Sequence, residues 1–290
     1  MIADDFWYND QYLSDYNLIM CMPEDEQDWA RRDIDRSDIT PIRPIPNFYS
    51  VKYSDTLVLR FLVIKCDEKA GNSDYMKMDG EFIDELMGWL TSPKRHMLLT
   101  TISEEGFDIN YYGLFTDVQP YVFNGECYGL KLTFTCNAPY GFSDTFKQEY
   151  SMDGLKTKSI KYYCESSEKY AYIYPIIKVD SASTTFGSSA TFTLCNDSDS
   201  SYSMSFTLPS GASSITIDCD KKLIFDQSGN IIPLTALTSQ DAVSFLSTPN
   251  YSFNWFRILP SENNLQISSN KKCMSKVTIQ ARGVIKAGGF

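Results

Sequence analysis

The most constraining feature of this sequence is a strand that is made to stop. From Gly129 to Cys136 apolar and polar residues alternate strictly: Leu130, Leu132, Phe134 and Cys136 fall on one face, Lys131, Thr133 and Thr135 on the other. That is the two-residue period of a half-buried β-strand. Asn137-Ala138-Pro139-Tyr140 follows at once. Proline has no N–H to give a ladder and biases the residue before it towards an extended conformation, so the sheet cannot continue in register. The segment reads as the last long strand of a β domain, and Ser-, Lys- and Glu-rich sequence over 141–170 puts a boundary near residue 147.

Elsewhere in the first part, residues 12–22 read as a first strand, and Val58 to Ile64 as a nearly continuous apolar strand covered on both faces. Met97–Ile102, Tyr111–Val118 and Tyr128–Cys136 supply further strands, with Asn124-Gly125 as a tight hairpin turn. One helix is expected. Asp79 can cap it, Glu81 lies in its first turn, and Phe82, Ile83, Leu86, Met87 and Leu90 recur at three- and four-residue spacing, with Trp89 widening that face. Residues 23–47 read as a polar segment ending in Pro41, Pro44 and Pro46, either a surface loop or an arm that packs on a neighbouring subunit. Its Trp29, Arg31, Arg32 and Arg36 are the candidate inter-subunit contacts.

Beyond the boundary, Tyr170–Tyr174 alternates up to Pro175, and short strands follow at Ile176–Val179, Ala190–Cys195, Tyr202–Leu208, Ser214–Cys219, Lys222–Asp226, Phe253–Leu259, Asn264–Ser268 and Lys276–Arg282. Turn residues separate them, which describes a β-sandwich. The expected fold is therefore mainly β, with a first domain over 1–147 containing the one helix and a sandwich over 148–290.

Several pieces, in order, resemble the distal tail proteins of long-tailed bacteriophages. Ser14-Asp15-Tyr16-Asn17-Leu18 is similar to that family's opening segment. Tyr53-Ser54-Asp55-Thr56-Leu57 before the strand at 58–63 is similar to its tyrosine, turn and apolar strand. Ile83 to Leu90 resembles its helix ending in Trp-Leu, and Tyr111-Tyr112-Gly113 and Phe134-x-Cys136-x-x-Pro139-Tyr140 complete the series. In the second half, Leu259-Pro260-Ser261-Glu262-Asn263 before an apolar strand resembles the leucine, proline-glycine-x-asparagine element of the family's galectin-like or carbohydrate-module-like sandwich, with Ser261 in place of glycine.

The resemblance implies a virion structural protein at the tail tip, assembled in the host cytoplasm, whose first domain forms a hexameric ring. That ring joins the tail tube protein to the tail-tip hub protein, offers attachment to receptor-binding proteins, and lets phage DNA pass without specific binding. The alternative reading is a carbohydrate-binding tail or cell-surface module for host-wall glycan, with Trp255 and Tyr251 as candidate contacts. A cryptic glycan hydrolase is a third.

Composition bears on these readings. Residues 1–147 hold 25 acidic and 13 basic side chains, whereas 148–290 hold 12 and 13. An acidic first domain disfavours phosphate binding and suits either solubility or a lumen that repels DNA. A single histidine, His96, removes histidine-based triads and metal sites, and no phosphate-cradling loop or nucleophile elbow is present. No catalytic residue, cofactor or metal is expected. The eight cysteines are spread singly and read as reduced, small hydrophobes. No apolar run is long enough to span a bilayer, and the N-terminus lacks the basic and apolar regions of a secretion signal, so no membrane insertion is expected.

Overall fold

The computed structural model describes residues 4–21, 32–36, 48–53, 55–66, 76–103, 108–181, 190–208, 211–233, 254–272 and 274–286. The protein is mainly β and divides into two compact units, Met1–Ser143 with Ile285–Phe290, and Asp144–Val284.

In the first unit the elements are β1 (Asp5–Tyr8), β2 (Gln11–Tyr12), β3 (Leu18–Cys21), β4 (Arg32–Arg36), β5 (Phe48–Tyr53), β6 (Val58–Lys65), α1 (Gly80–Thr91), β7 (Met97–Ile102), β8 (Ile109–Phe123), β9 (Glu126–Cys136) and β10 (Gly141–Phe142). One sheet runs β2-β1-β7-β8-β9-β6-β3, and β4 pairs β5 separately. Strand β9 ends as its sequence dictates. The Cys136 N–H donates to the Leu57 carbonyl (2.9 Å) and the Leu57 N–H to the Ala138 carbonyl (3.0 Å), after which the chain bends and β10 re-enters the ladder opposite Asn110. Gly113 lies where β8 crosses β9, and a Cβ there would overlap the Thr135 carbonyl oxygen.

Helix α1 starts as expected: the Asp79 carboxylate accepts from the Phe82 N–H at 2.9 Å. It lies on the sheet through Leu86, Trp89 and Leu90, all buried. Trp89 stacks between Phe6 (5.8 Å) and Tyr16 (4.9 Å), and its indole N–H donates to the Tyr8 carbonyl at 2.9 Å, so the helix is keyed to β1 by both packing and a buried hydrogen bond.

Two expectations fail in this unit, and one strand went unread. The strand read over 12–22 is broken by a 3-10 turn at Leu13–Tyr16 and by Asn17 at φ 54°. Asp5 and Asp15 cause the break: Asp5 accepts from both the N–H and the hydroxyl of Ser14, and Asp15 accepts from the Tyr12 N–H. The alternating Asp5–Tyr8, which the sequence reading passed over, is instead the strand that carries the core residues Phe6 and Tyr8. Strand β6 is not covered on both faces: Leu59, Phe61 and Val63 are buried while Val58, Arg60 and Leu62 are half-exposed, because β3 and β9 flank it but α1 covers only one side.

The second unit adds β11 (Phe146–Ser151), β12 (Thr157–Tyr163), β13 (Ile176–Ser181), β14 (Ala190–Asn196), β15 (Tyr202–Leu208), β16 (Ser214–Asp218), β17 (Leu223–Phe225), β18 (Glu262–Ser269), β19 (Ser275–Ala281) and β20 (Val284–Ile285). Sheets β11-β19-β13-β16-β17 and β12-β18-β14-β15, antiparallel throughout, face each other across one core. Each strand contributes alternate residues: Phe192 and Leu194, Met204 and Phe206, Leu265 and Ile267, Ile177 and Val179, Ile215 and Ile217, Val277 and Ile279. Strand β20 returns to pair β10, and Ile285 is buried in the first unit's core.

The Ser-, Lys- and Glu-rich stretch, read only as holding a boundary, contains β11 and β12. Both are outer strands whose exposed residues hide the period: Ile160 and Tyr162 of β12 are buried, and Phe146 and Tyr150 of β11 pack against the core half-buried. Conversely, Tyr170–Tyr174 and residues 254–259 form no strand. They meet in the single bridge Ile173–Ile258. Beside that bridge the backbone is satisfied by side-chain amides. Asn263, wholly buried, accepts from the Leu259 N–H (2.8 Å) and from Asn196 (2.9 Å), and donates to the carbonyls of Leu259 and Ser261. Asn263 thus fixes the turn after Pro260 without the glycine that Ser261 replaces.

Seven cysteines are free among the described residues. Burial pushes the thiols of Cys136, Cys164 and Cys219 up to about 12 from 9.0, and the Tyr8 phenol to about 12. In the unfolded chain these thiols ionise first. Their contribution to stability is therefore complete below about pH 9 and is lost as pH rises towards the folded values near 12. Thermal unfolding followed by circular dichroism is expected to show a midpoint that falls from roughly pH 8.5 to pH 11. Trp89→Ala is expected to cost about 3–5 kcal/mol in denaturant titration, and Asn263→Ala about 1–3 kcal/mol, through the backbone groups it orphans.

Candidate assembly surface

Among the described residues of the first unit His96 is exposed, and the open recess formed by Asn9, Ser92, Pro93, Lys94, Arg95 and Met97 is lined by no carboxylate. No cluster of metal-ligating side chains exists among the described residues, and none of their helices is long and apolar enough to cross a membrane. What stands out is shape. Strand β7 pairs β8 only over Ile109–Gly113, and β6 pairs β9 only as far as Gly129. Past Tyr121 and Gly129, β8 and β9 continue as a short two-stranded tip, along which the Met78 N–H donates to the Cys127 carbonyl at 2.8 Å.

Local chemistry builds this overhang. Asn124 (φ 50°) and Gly125 (φ 85°) both take positive φ, the type I′ turn that matches strand twist. A bulge between Phe115 and Asp117 sets Thr116 outward, where its hydroxyl meets that of Thr135 at 2.8 Å. The tip then exposes Tyr121, Val122 and Phe123, the last 67% exposed, with Tyr128 edge-on to Phe123 at 6.5 Å. Along its outer edge β8 has no second partner from Leu114 to Phe123 among the described residues, and Pro120 interrupts the row of donors that such an edge presents. The sheet's outermost strand β3 likewise shows Ile19 to solvent at 46%.

A second projection is the β4–β5 hairpin. Ile34 is 57% exposed at its centre, and Asp35 pairs with Lys52 at 3.0 Å. The 23–47 segment, read as free of strands, thus contains β4, held by pairing with β5. Tyr53 at the end of β5 packs edge-on to Tyr140 (5.9 Å), Tyr140 to Phe142 (5.5 Å), and Phe142 to Tyr112 (6.1 Å). The tyrosine of the Pro-Tyr stop therefore anchors the root of this hairpin. Of the proposed arm contacts, Arg32 is exposed at the start of β4 and Arg36 ends it, while Trp29 and Arg31 lie outside the described residues.

In the second unit, Trp255 is half-buried and packs against the sandwich core, and Tyr251 lies outside the described residues. The sequence reading missed the cluster beside Trp255. Arg257 lies over the rings of Tyr172 (3.7 Å) and Tyr202 (4.0 Å), with its Nε donating to Asp199 at 2.7 Å. Tyrosines at alternate positions before Pro175 were the available signal.

With this geometry in view, relatives can be compared. Residues 1–138 match the family described as the phage tail protein N-terminal domain. The first unit carries a phage tail protein domain. The fold of the whole chain is similar to that of the crystal structure of SPP1 Dit, described as a paradigm of the hub adsorption apparatus in phages infecting Gram-positive bacteria. That likeness has TM-score 0.59 and 14% identity, covering 97% of this chain and 99% of that one. The phage P2 baseplate in its activated conformation with calcium is also similar, at TM-score 0.48 and 11% identity over 97% and 98% of the two chains. No curated protein matches the sequence. The tail-protein match ends at Ala138, inside the stop that closes β9.

Replacing Val122 and Phe123 of the tail-protein domain together by serine is expected to change folding stability by no more than about 0.5 kcal/mol in denaturant titration. A larger loss would show that the tip packs on its own fold.

Proposed function

We propose that this chain is an architectural protein of the virion, a distal tail protein whose first unit closes into a ring of six. The observation that carries the reading is the coincidence of the tail-protein domain match with a sheet that overhangs its own edges. A ring needs a head-to-tail interface between two different patches of one protomer. The β8–β9 overhang and the β3 edge supply unpaired backbone and exposed apolar side chains, and the β4–β5 hairpin supplies a projecting arm. In this reading the ring sits between tail tube protein and tail-tip hub protein and offers attachment to receptor-binding proteins. The acidic excess of residues 1–147 suits a lumen through which DNA passes without binding. The work is mechanical rather than catalytic, and the particle is assembled in the host cytoplasm.

Light scattering of the purified protein across concentrations, with negative-stain imaging, is expected to find a closed six-membered ring with a central hole. A monomer that stays monomeric when mixed with tail tube protein and hub protein would overturn the reading. Shortening the 23–47 segment is expected to leave the unfolding midpoint of the protomer unchanged and to weaken the ring. A ring unaffected by that deletion would remove the arm from the interface.

A further inference from the structure

The cluster around Arg257 is built more tightly than a surface ion pair requires. The antiparallel bridge Ile173–Ile258 turns both isoleucines towards the core, where Ile258 is wholly buried and Ile173 packs against the cluster. In an extended chain the neighbours of each point the other way. Tyr172 and Tyr174 therefore share the outer face with Arg257, at 41% and 39% exposure. Asp199 ends a short 3-10 turn that Asn196 caps through the Ser198 N–H (3.1 Å), and the Ser198 hydroxyl in turn accepts from the Asn264 N–H (2.9 Å). The carboxylate that orients Arg257 is thus itself held by the fold.

This arrangement leaves valences open on one side. The guanidinium is clamped between two tyrosine rings and spends its Nε–H on Asp199 Oδ2. Its two Nη groups have no hydrogen-bond partner among the described residues, and neither has Asp199 Oδ1. The Arg257 side chain keeps 24% of its surface and that of Asp199 11%. A planar donor pair therefore stands beside an acceptor, next to exposed tyrosine faces. Because Asp199 offsets the charge of Arg257, an anion finds little Coulombic surplus there. A pair of adjacent hydroxyls on a sugar ring fits this set, accepting from Nη and donating to Oδ1 while the apolar face of the ring stacks on tyrosine.

We propose that Arg257, Asp199, Tyr172 and Tyr174 form a binding site for a neutral pyranose, a unit of a surface glycan. The site lies on the outer face of the Ile173–Ile258 bridge and shares no residue with the proposed ring interface, so it stands or falls without the ring. Arg257, Asp199 and Tyr172 are already held by stacking and the ion pair, which lowers the ordering cost of recognition.

The test uses the full chain and saturation-transfer NMR with galactose, glucose, N-acetylglucosamine and glucuronate as probes, each titrated into the millimolar range. Saturation transfer to at least one neutral sugar is expected, with Tyr174→Ala and Arg257→Lys each weakening it about tenfold or more. Tyr174→Ala serves as the control for folding, since its ring is exposed, and its unfolding midpoint should match the wild type. Transfer to glucuronate alone would overturn the neutral-sugar assignment. Transfer unchanged in both variants would overturn the location, and no transfer from any probe would overturn the site.

Discussion

The first unit depends on one side chain above others, Trp89. Its ring lies between Phe6 and Tyr16 and its N–H reaches the Tyr8 carbonyl, so it binds α1, the strand β1 and the 3-10 turn into a single core. Phe115 and Phe134 extend that aromatic cluster from Tyr8 into β8 and β9 at 4.9 and 6.0 Å. The middle of the sheet is thus fixed by packing. Its margins carry the exposed apolar side chains, Val122 and Phe123 at the β8–β9 tip and Ile34 in the β4–β5 pair.

Much of this was legible. Period-two alternation marked β9, β7, β14 and β15, and Asp79 with the spacing of Leu86, Trp89 and Leu90 marked α1 and its buried face. Asn124-Gly125 marked the hairpin, though nothing in the pattern showed how far it would outrun its neighbours. That length is set by where β7 and β6 stop pairing, a property of other strands. The failures have the same origin. Phe146–Ser151 shows no strand period because an outer strand turns most of its residues to water, and residues 254–259 read as a strand because Phe256 and Ile258 do face inward. Their ladder is replaced by the amides of Asn196 and Asn263. Residues 12–22 fail because short-range acceptors, Asp5 and Asp15, outcompete the sheet.

The cluster around Arg257 illustrates the limit for sites. Trp255 draws attention in the sequence as a large aromatic in a sandwich, yet packing claims it. The side chains left open to solvent are Tyr172 and Tyr174, set outward by Ile173, and they become neighbours of Arg257 only through a bridge between segments about 85 residues apart, a separation that periodicity cannot report.

The return of the chain to the first unit has a consequence for synthesis. Ile285 is buried among residues of a unit that otherwise ends at Ser143. A ribosome releases the N-terminal strands long before that residue exists, so nascent protein carries a first core without Ile285 while the sequence of the sandwich is made. A chain truncated within the sandwich therefore lacks a side chain of its first core, so a break in the second unit's sequence leaves a gap in the first.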